Sequence, residues 1–149
     1  MPTQALRRPP ESAPLEYSTV QTENSPCLRI KRVYDTPSDE DGTRILVDRL
    51  WPRGMKRDAG VVDLWLKDVA PTPSLRRWFS HDPSRWSEFV RRYFAELDQR
   101  RQTLAPLLEL ATQDCITLLY AAKDARRNNA VALARYLVRC NAVTPDGAT

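Results

Sequence analysis

The run DRLWPRG, Asp48 to Gly54, sets a carboxylate, two guanidiniums and an indole beside two chain breakers. These residue types suit recognition of a flat anion. Arginine offers a planar fork of donors for carboxylate or phosphate. Trp51 can stack on a flat group, and Gly54 lets backbone approach. Asp48 can orient Arg49, or act as an acid or base if its environment shifts its pKa. Lys56 follows closely in Met55-Lys56-Arg57. Two other places carry similar chemistry: Tyr34 with Asp35, and Tyr120 with Lys123 and Asp124 ahead of Asn128 and Asn129. With no histidine or activated cysteine in the group, acid–base work falls to carboxylate, lysine or tyrosine, so Asp48, Lys123 and Tyr120 are the catalytic candidates. Tyr34, Arg49, Trp51, Arg53, Gly54, Lys56 and Asn128 are the candidate ligand contacts.

Each has a plainer reading. An Asp-Arg pair at a strand end often ties loops together, and Trp51 and Trp65 can be core. Asn128 and Asn129 can be helix-start hydrogen bonders. His81-Asp82 reads as the start of a helix rather than a catalytic dyad.

The elements that must position these groups can be read from hydrophobic period. LRIKRVY, Leu28 to Tyr34, alternates apolar and basic residues as a half-buried strand does. Asp35 to Thr43 is a turn-rich loop with Pro37 and Asp41-Gly42 as breakers. Ile45 to Leu50 is a second strand, and Val61 to Leu66 is a short third strand or an irregular packed segment. Ser74 suits an N-cap for a short helix holding Leu75, Trp78 and Phe79. Asp82-Pro83 starts another helix, with Trp86, Phe89, Val90, Tyr93, Phe94 and Leu97 on one face to about Arg101. Thr103 can cap a further helix carrying Leu104, Leu107, Leu108 and Ala111. CITLLYAA, Cys115 to Ala122, is apolar without alternation, as in a strand covered on both faces. A last helix is expected from about Asp124 to Cys140. The order implies an α/β fold: a small, mostly parallel sheet flanked by helices in a single domain. In such sheets ligands bind beyond the carboxyl ends of the strands, where the charged groups fall.

Composition bounds the rest. The chain has 149 residues, 28% charged and 42% hydrophobic, enough for one core. Residues 1–27, rich in proline and polar side chains, read as a disordered extension, residues 28–140 as the folded domain, and residues 141–149 as a flexible tail. No apolar run approaches the ~20 residues that span a membrane. The N-terminus has no apolar signal core, which points to a cytoplasmic protein. Three cysteines without CxxC spacing argue against a disulfide framework or a thiolate zinc site, and Cys115 reads as a small buried hydrophobe. One histidine cannot build a multi-histidine metal centre, so no metal or cofactor is expected. A net charge of +4 permits an anionic partner, although arginine pairs such as Arg76-Arg77, Arg91-Arg92 and Arg126-Arg127 suit a solvated helix face.

The segments KRVYD (Lys31 to Asp35), DGTRILVDRLWPRGMK (Asp41 to Lys56), WLKDVAPTP (Trp65 to Pro73), LRRWFSHDPSRWSEF (Leu75 to Phe89) and TLLYAAKD (Thr117 to Asp124) resemble the YeaO-like proteins. These are a branch of the uncharacterised bacterial family called domain of unknown function 488, or DUF488. The resemblance runs from about Arg29 to Arg139. It implies a small cytosolic α/β domain with parallel pairing of the strands ending in VDR and LLYAAKD. Asp48, Arg49, Trp51, Pro52, Arg53, Gly54, Tyr120, Lys123 and Asn128 match the family pattern. The family supplies no reaction. Its members often carry a histidine after the helix-start asparagine, where this chain has Asn129, which weakens any mechanism needing an imidazole there.

The leading expectation is therefore a domain that binds, or transforms, a small anionic molecule such as a nucleotide or phosphorylated metabolite. A nucleic-acid-binding regulator is the alternative, and an interaction module docking through the proline-rich N-terminus comes third.

Overall fold

The computed structural model describes residues 20–22 and 25–140. Its five strands are β1 (Val20–Thr22), β2 (Ser25–Arg32), β3 (Thr43–Leu46), β4 (Leu64–Trp65) and β5 (Ile116–Tyr120). Its α-helices are α1 (Pro73–Phe79), α2 (Trp86–Asp98), α3 (Arg101–Gln113) and α4 (Asn129–Arg139). The strands form one sheet in the order β1-β2-β5-β3-β4, with β2, β5, β3 and β4 parallel and β1 antiparallel at the edge. This is the expected α/β architecture. Residues 1–19 and 141–149, read as tails, lie outside the described residues, and β1 falls inside the segment read as an N-terminal extension.

β5 sits at the centre of the sheet, and all five of its residues are buried. Its register sets Leu28 and Thr43 beside Ile116, and Ile30 and Ile45 beside Leu118. Side chains alternate across a strand, so the two faces separate cleanly. Leu28, Ile45, Val47, Ile116, Leu118 and Tyr120 face the main core with helical residues including Phe89, Tyr93, Leu104, Leu133 and Leu137. Val33, Leu46 and Leu119 face the other way, beneath Trp51, Met55, Val61, Val62 and Trp65. Those covering residues come from the loops after β3 and from β4. After β3, then, the chain turns onto this second face, whereas after β5 it turns toward α4 on the helical face. A crevice opens between the two strand ends.

Several boundaries differ from expectation for local reasons. Thr72, not Ser74, caps α1: its side chain accepts from Leu75 N–H, and Pro73 supplies a ready-made first helical φ. α3 begins at Arg101, before Thr103, and carries Pro106 in its second turn. α4 begins at Asn129 because Asn128 is its N-cap, its side chain accepting from Val131 N–H. Asp124 instead forms a tight turn of its own, accepting from the N–H groups of Arg126 and Arg127.

The expectation about cysteine is overturned. Cys27 and Cys115 form a disulfide across β2 and β5, their Cα atoms 4.4 Å apart and 88 residues separated in sequence. The cause is register: Leu28 pairs with Ile116, so the residues just before them meet side by side. Cys115 is thus a crosslink rather than a small buried hydrophobe, and Cys140 is the free thiol among the described residues.

Beside this bond lies a charged network absent from the sequence reading. Asp41 is fully buried. Its carboxylate meets Lys31 Nζ at 3.1 Å and Arg29 at 3.3 Å, with Arg44 at 3.8 Å, and accepts from Ser38 N–H. Burial opposes its ionisation, yet the Ser38 N–H and the Lys31 and Arg29 charges together hold Asp41 below the ordinary carboxylate value of 3.8. A depressed folded-state value contributes stability that is present above 3.8 and is lost as pH falls through the folded value. Asp41→Asn is expected to cost about 3 kcal/mol at neutral pH, because it strands three cations around one neutral amide. Urea unfolding should show that deficit shrinking in strong acid.

Candidate functional site

A cleft of about 350 Å³ lies at the carboxyl ends of β3 and β5. Its floor is Asp48 and Ala121. One wall is the segment Arg49 to Arg53 with Tyr34, a second is Arg127, Asn128 and Asn129 at the start of α4, and a third is Arg76, Phe79 and His81 with Phe89 behind. Ala70 and Pro71 complete the rim. The crevice between diverging strand ends thus holds the charge that the sequence placed there.

Asp48 is locked from two sides. Its Oδ2 accepts from Ala121 N–H at 2.9 Å, which ties the end of β3 to the end of β5. Its Oδ1 accepts from Asn129 Nδ2 at 3.0 Å, and the same amide donates to Val47 O at 2.9 Å. Burial raises Asp48 above the ordinary value of 3.8, opposed by the Asn129 amide, the Ala121 N–H and the nearby Arg76 charge. The sign is opposite to that of Asp41. This carboxylate favours folding below 3.8 and withdraws stability as pH rises through its folded value. Asn129→Ala leaves Val47 O and Asp48 without their shared donor, an expected loss of about 2 kcal/mol at neutral pH. Protonating Asp48 should narrow the gap, which denaturation at several pH values will reveal.

Arg49 does not pair with Asp48. Its fork turns to the loop before α1, donating to Ala70 O at 3.1 Å and Pro71 O at 3.3 Å, with Asp68 at 3.8 Å. Arg100 reaches the same loop from the end of α2, bonding Asp68 O and Ala70 O. Two arginines therefore fix the rim that carries Ala70 and Pro71. Glu96 fixes the next residue, accepting from Thr72 N–H and Oγ1 at 3.0 and 2.6 Å.

Trp51 lines the cleft, but its ring is already engaged. Trp65 packs edge-on at 5.3 Å, Arg57 lies 4.5 Å above it, and its indole N–H donates to Met55 O. Tyr34 bonds Arg53 O at 2.8 Å and so braces the loop that carries the Arg53 side chain. Asn128 lines the cleft while its amide serves the helix cap and Asp124 O.

Among the sequence candidates, Tyr34, Asp48, Arg49, Trp51, Arg53 and Asn128 meet at the cleft. Tyr120, Lys123, Gly54 and Lys56 do not line it. Tyr120 falls on the helical face of β5, because positions 116, 118 and 120 share that face, and burial raises its pKa. Lys123 is exposed in the loop after β5, and Lys56 is exposed beyond Gly54.

The sequence reading missed Arg76, Phe79, His81 and Phe89, which arrive from α1, the turn after it and α2. Their signal was slight: Phe79 and Phe89 looked like core, Arg76 like half of a surface pair, and His81 like a helix start. Asp82 does start the next turn, accepting from Ser84 N–H and Oγ, and no hydrogen bond joins it to His81. Arg53 and Arg76 form no ion pair with a carboxylate among the described residues, in contrast to Arg85, Arg91, Arg92 and Arg100. No helix among the described residues is long and apolar enough to cross a membrane.

Comparison with known proteins agrees with the fold and the motifs. Residues 27–147 match the family described as "Inactive DUF488-N3 subclade". Over 110 residues, 74% of this chain, the sequence is 42% identical to the uncharacterised protein YeaO of Escherichia coli, covering 96% of that protein. It is 41% identical over 110 residues, again 74% of this chain, to the uncharacterised protein Rv3073c of Mycobacterium tuberculosis, covering 92% of that relative. No solved structure matches the chain at a significant level. A match over most of the chain, with the strand-end residues of the cleft inside it, settles membership: the chain belongs to the DUF488 family and is YeaO-like.

Proposed function

We propose that the cleft binds a small anionic molecule, such as a nucleotide or phosphorylated metabolite, and does not transform it. The observation that carries this reading is the pair Arg53 and Arg76, which line a concave site without a carboxylate partner among the described residues. Guanidiniums in that position favour phosphate or carboxylate, and the aromatic rings of Phe79 and Phe89 give the cleft apolar wall. Binding without turnover is supported by the state of Asp48. Each of its oxygens already receives a donor, and the neighbour that organises it is an amide rather than an imidazole. The matching subclade's description as inactive points the same way.

Nucleic-acid binding ranks second. Several arginines of the adjacent pairs that permit it are engaged within the chain, Arg91 and Arg92 with Glu88 and Arg127 with Asp124. The third expectation, docking through the proline-rich N-terminus, rests largely on residues outside the described ones.

A thermal-shift screen of nucleotides, sugar phosphates and organic acids tests the main reading. A ligand at about a hundred times its Kd adds about 2.7 kcal/mol to the native state, a readily measured rise in Tm. The response should be lost in Arg53→Ala and Arg76→Ala. If no compound raises the Tm, or both variants respond as the parent does, the reading fails.

A further inference from the structure

We propose that His81 is a third cationic contact of the cleft, so that an anion binds more tightly when the imidazole is protonated. This rests on the anion-site reading above and adds its regulation by pH. The chain has one histidine, and it lines the cleft on the same wall as Arg76 and Phe79, its ring 6.3 Å from that of Phe79. Its side chain makes no hydrogen bond or ion pair among the described residues.

The backbone there is held in an unfavourable region. Ser80 and His81 have φ of 47° and 56°, the non-glycine residues with positive φ among those described. One left-handed residue is enough to end a helix, and Ser80 provides it, its N–H returning to Arg76 O. The second is not needed for the cap. Left-handed backbone is disfavoured for a residue with a Cβ, and it persists where surrounding contacts over-determine it, often at functional sites. Here Asp82 N–H bonds Phe79 O, closing the turn around His81 and setting the imidazole at the cleft.

Imidazole is the side chain whose charge ordinarily changes between about pH 5 and 8. The charged and titratable groups sharing the cleft are Arg76 on α1, Asp48, Arg49 and Arg53 after β3, Tyr34 after β2, and Arg127 before α4. Asp82 is the adjacent residue, occupied by Ser84 and Arg85. Cations outnumber the single carboxylate Asp48 in this set. An anion bridging Arg76 and a protonated His81 meets that excess of positive charge, so binding and protonation favour each other.

The test follows the imidazole by NMR in the full chain, where one histidine gives one unambiguous set of signals. Inorganic sulfate is the probe because its charge is constant across this pH range. Sulfate should shift the His81 signals and move its protonation midpoint to higher pH. Affinity should rise about fivefold between about pH 8 and about pH 5.5, and Arg76→Ala should abolish the effect. His81→Gly, which relieves the left-handed backbone, should melt no lower than the parent yet lose the pH dependence, and His81→Gln should lose it too. If sulfate binds with sensitivity to Arg53→Ala but leaves the His81 signals and the pH profile unchanged, this inference is wrong and the anion site stands. If no cleft signal responds to sulfate, this inference is wrong, and the anion-site reading is decided by the phosphate screen above.

Discussion

Gly42→Ala is expected to cost about 4 kcal/mol, from a strained backbone and an overpacked neighbour together. Gly42 has φ of 66°, where a Cβ is disfavoured. That Cβ would also lie 2.1 Å from Cys115 O and 2.7 Å from its carbonyl carbon, and backbone cannot swing aside as a flexible side chain does. The contact is close because Thr43 N–H donates to Cys115 O at 3.0 Å, the first bond joining β3 to β5. Relief by retreat would break that bond and disturb buried Asp41, the preceding residue. Urea denaturation of the purified variant measures the loss. A variant within about 1 kcal/mol of the parent would mean that this approach is not required by the fold.

Reducing the Cys27–Cys115 bond should have a comparable effect. A crosslink closing an 88-residue separation restricts the unfolded chain enough to contribute about 4 kcal/mol in the chain-entropy account. Thermal melts with and without reductant should differ by about 10 °C, and Cys27→Ser with Cys115→Ser should match the reduced parent. Thiol labelling of the native oxidised protein should modify Cys140 alone. Identical melts in both conditions would remove the bond from the account of stability. Such bonds persist in oxidising compartments and are rare in reducing cytosol, so this crosslink and the cytoplasmic expectation pull in opposite directions.

Both predictions concern the amino end of the sheet, where the chain is fastened by Cys27–Cys115, Gly42 and the Asp41 network. The carboxyl end is where the cleft opens. The difference between the two ends bears on what could be read from sequence. β5 was legible because an apolar run without alternation implies cover on both faces. Asp48, Trp51, Arg53 and Asn128 were legible because strand ends and helix starts are fixed by local breakers. What local pattern does not encode is direction. Arg49 has the chemistry of an anion contact, yet its fork serves the carbonyls of Ala70 and Pro71. Tyr120 has the chemistry of an acid, yet alternation along β5 sends it into the helical core. Features set by register or by the return of distant helices were invisible: Cys27 beside Cys115, three cations around Asp41, and Arg76 with His81 brought across to the strand ends. Asn129, read as a helix-start hydrogen bonder and as a departure from a histidine pattern, proves to hold Asp48 in place.

Binding calorimetry tests the anion-site account most directly. Adenosine 5′-monophosphate and representative sugar phosphates would be titrated into the parent and into a variant carrying both Arg53→Ala and Arg76→Ala. The account predicts saturable one-site binding of at least one such phosphate to the parent, and about tenfold or weaker affinity in the variant. Equal affinity in the two proteins, or no binding of any of these phosphates to the parent, would contradict it.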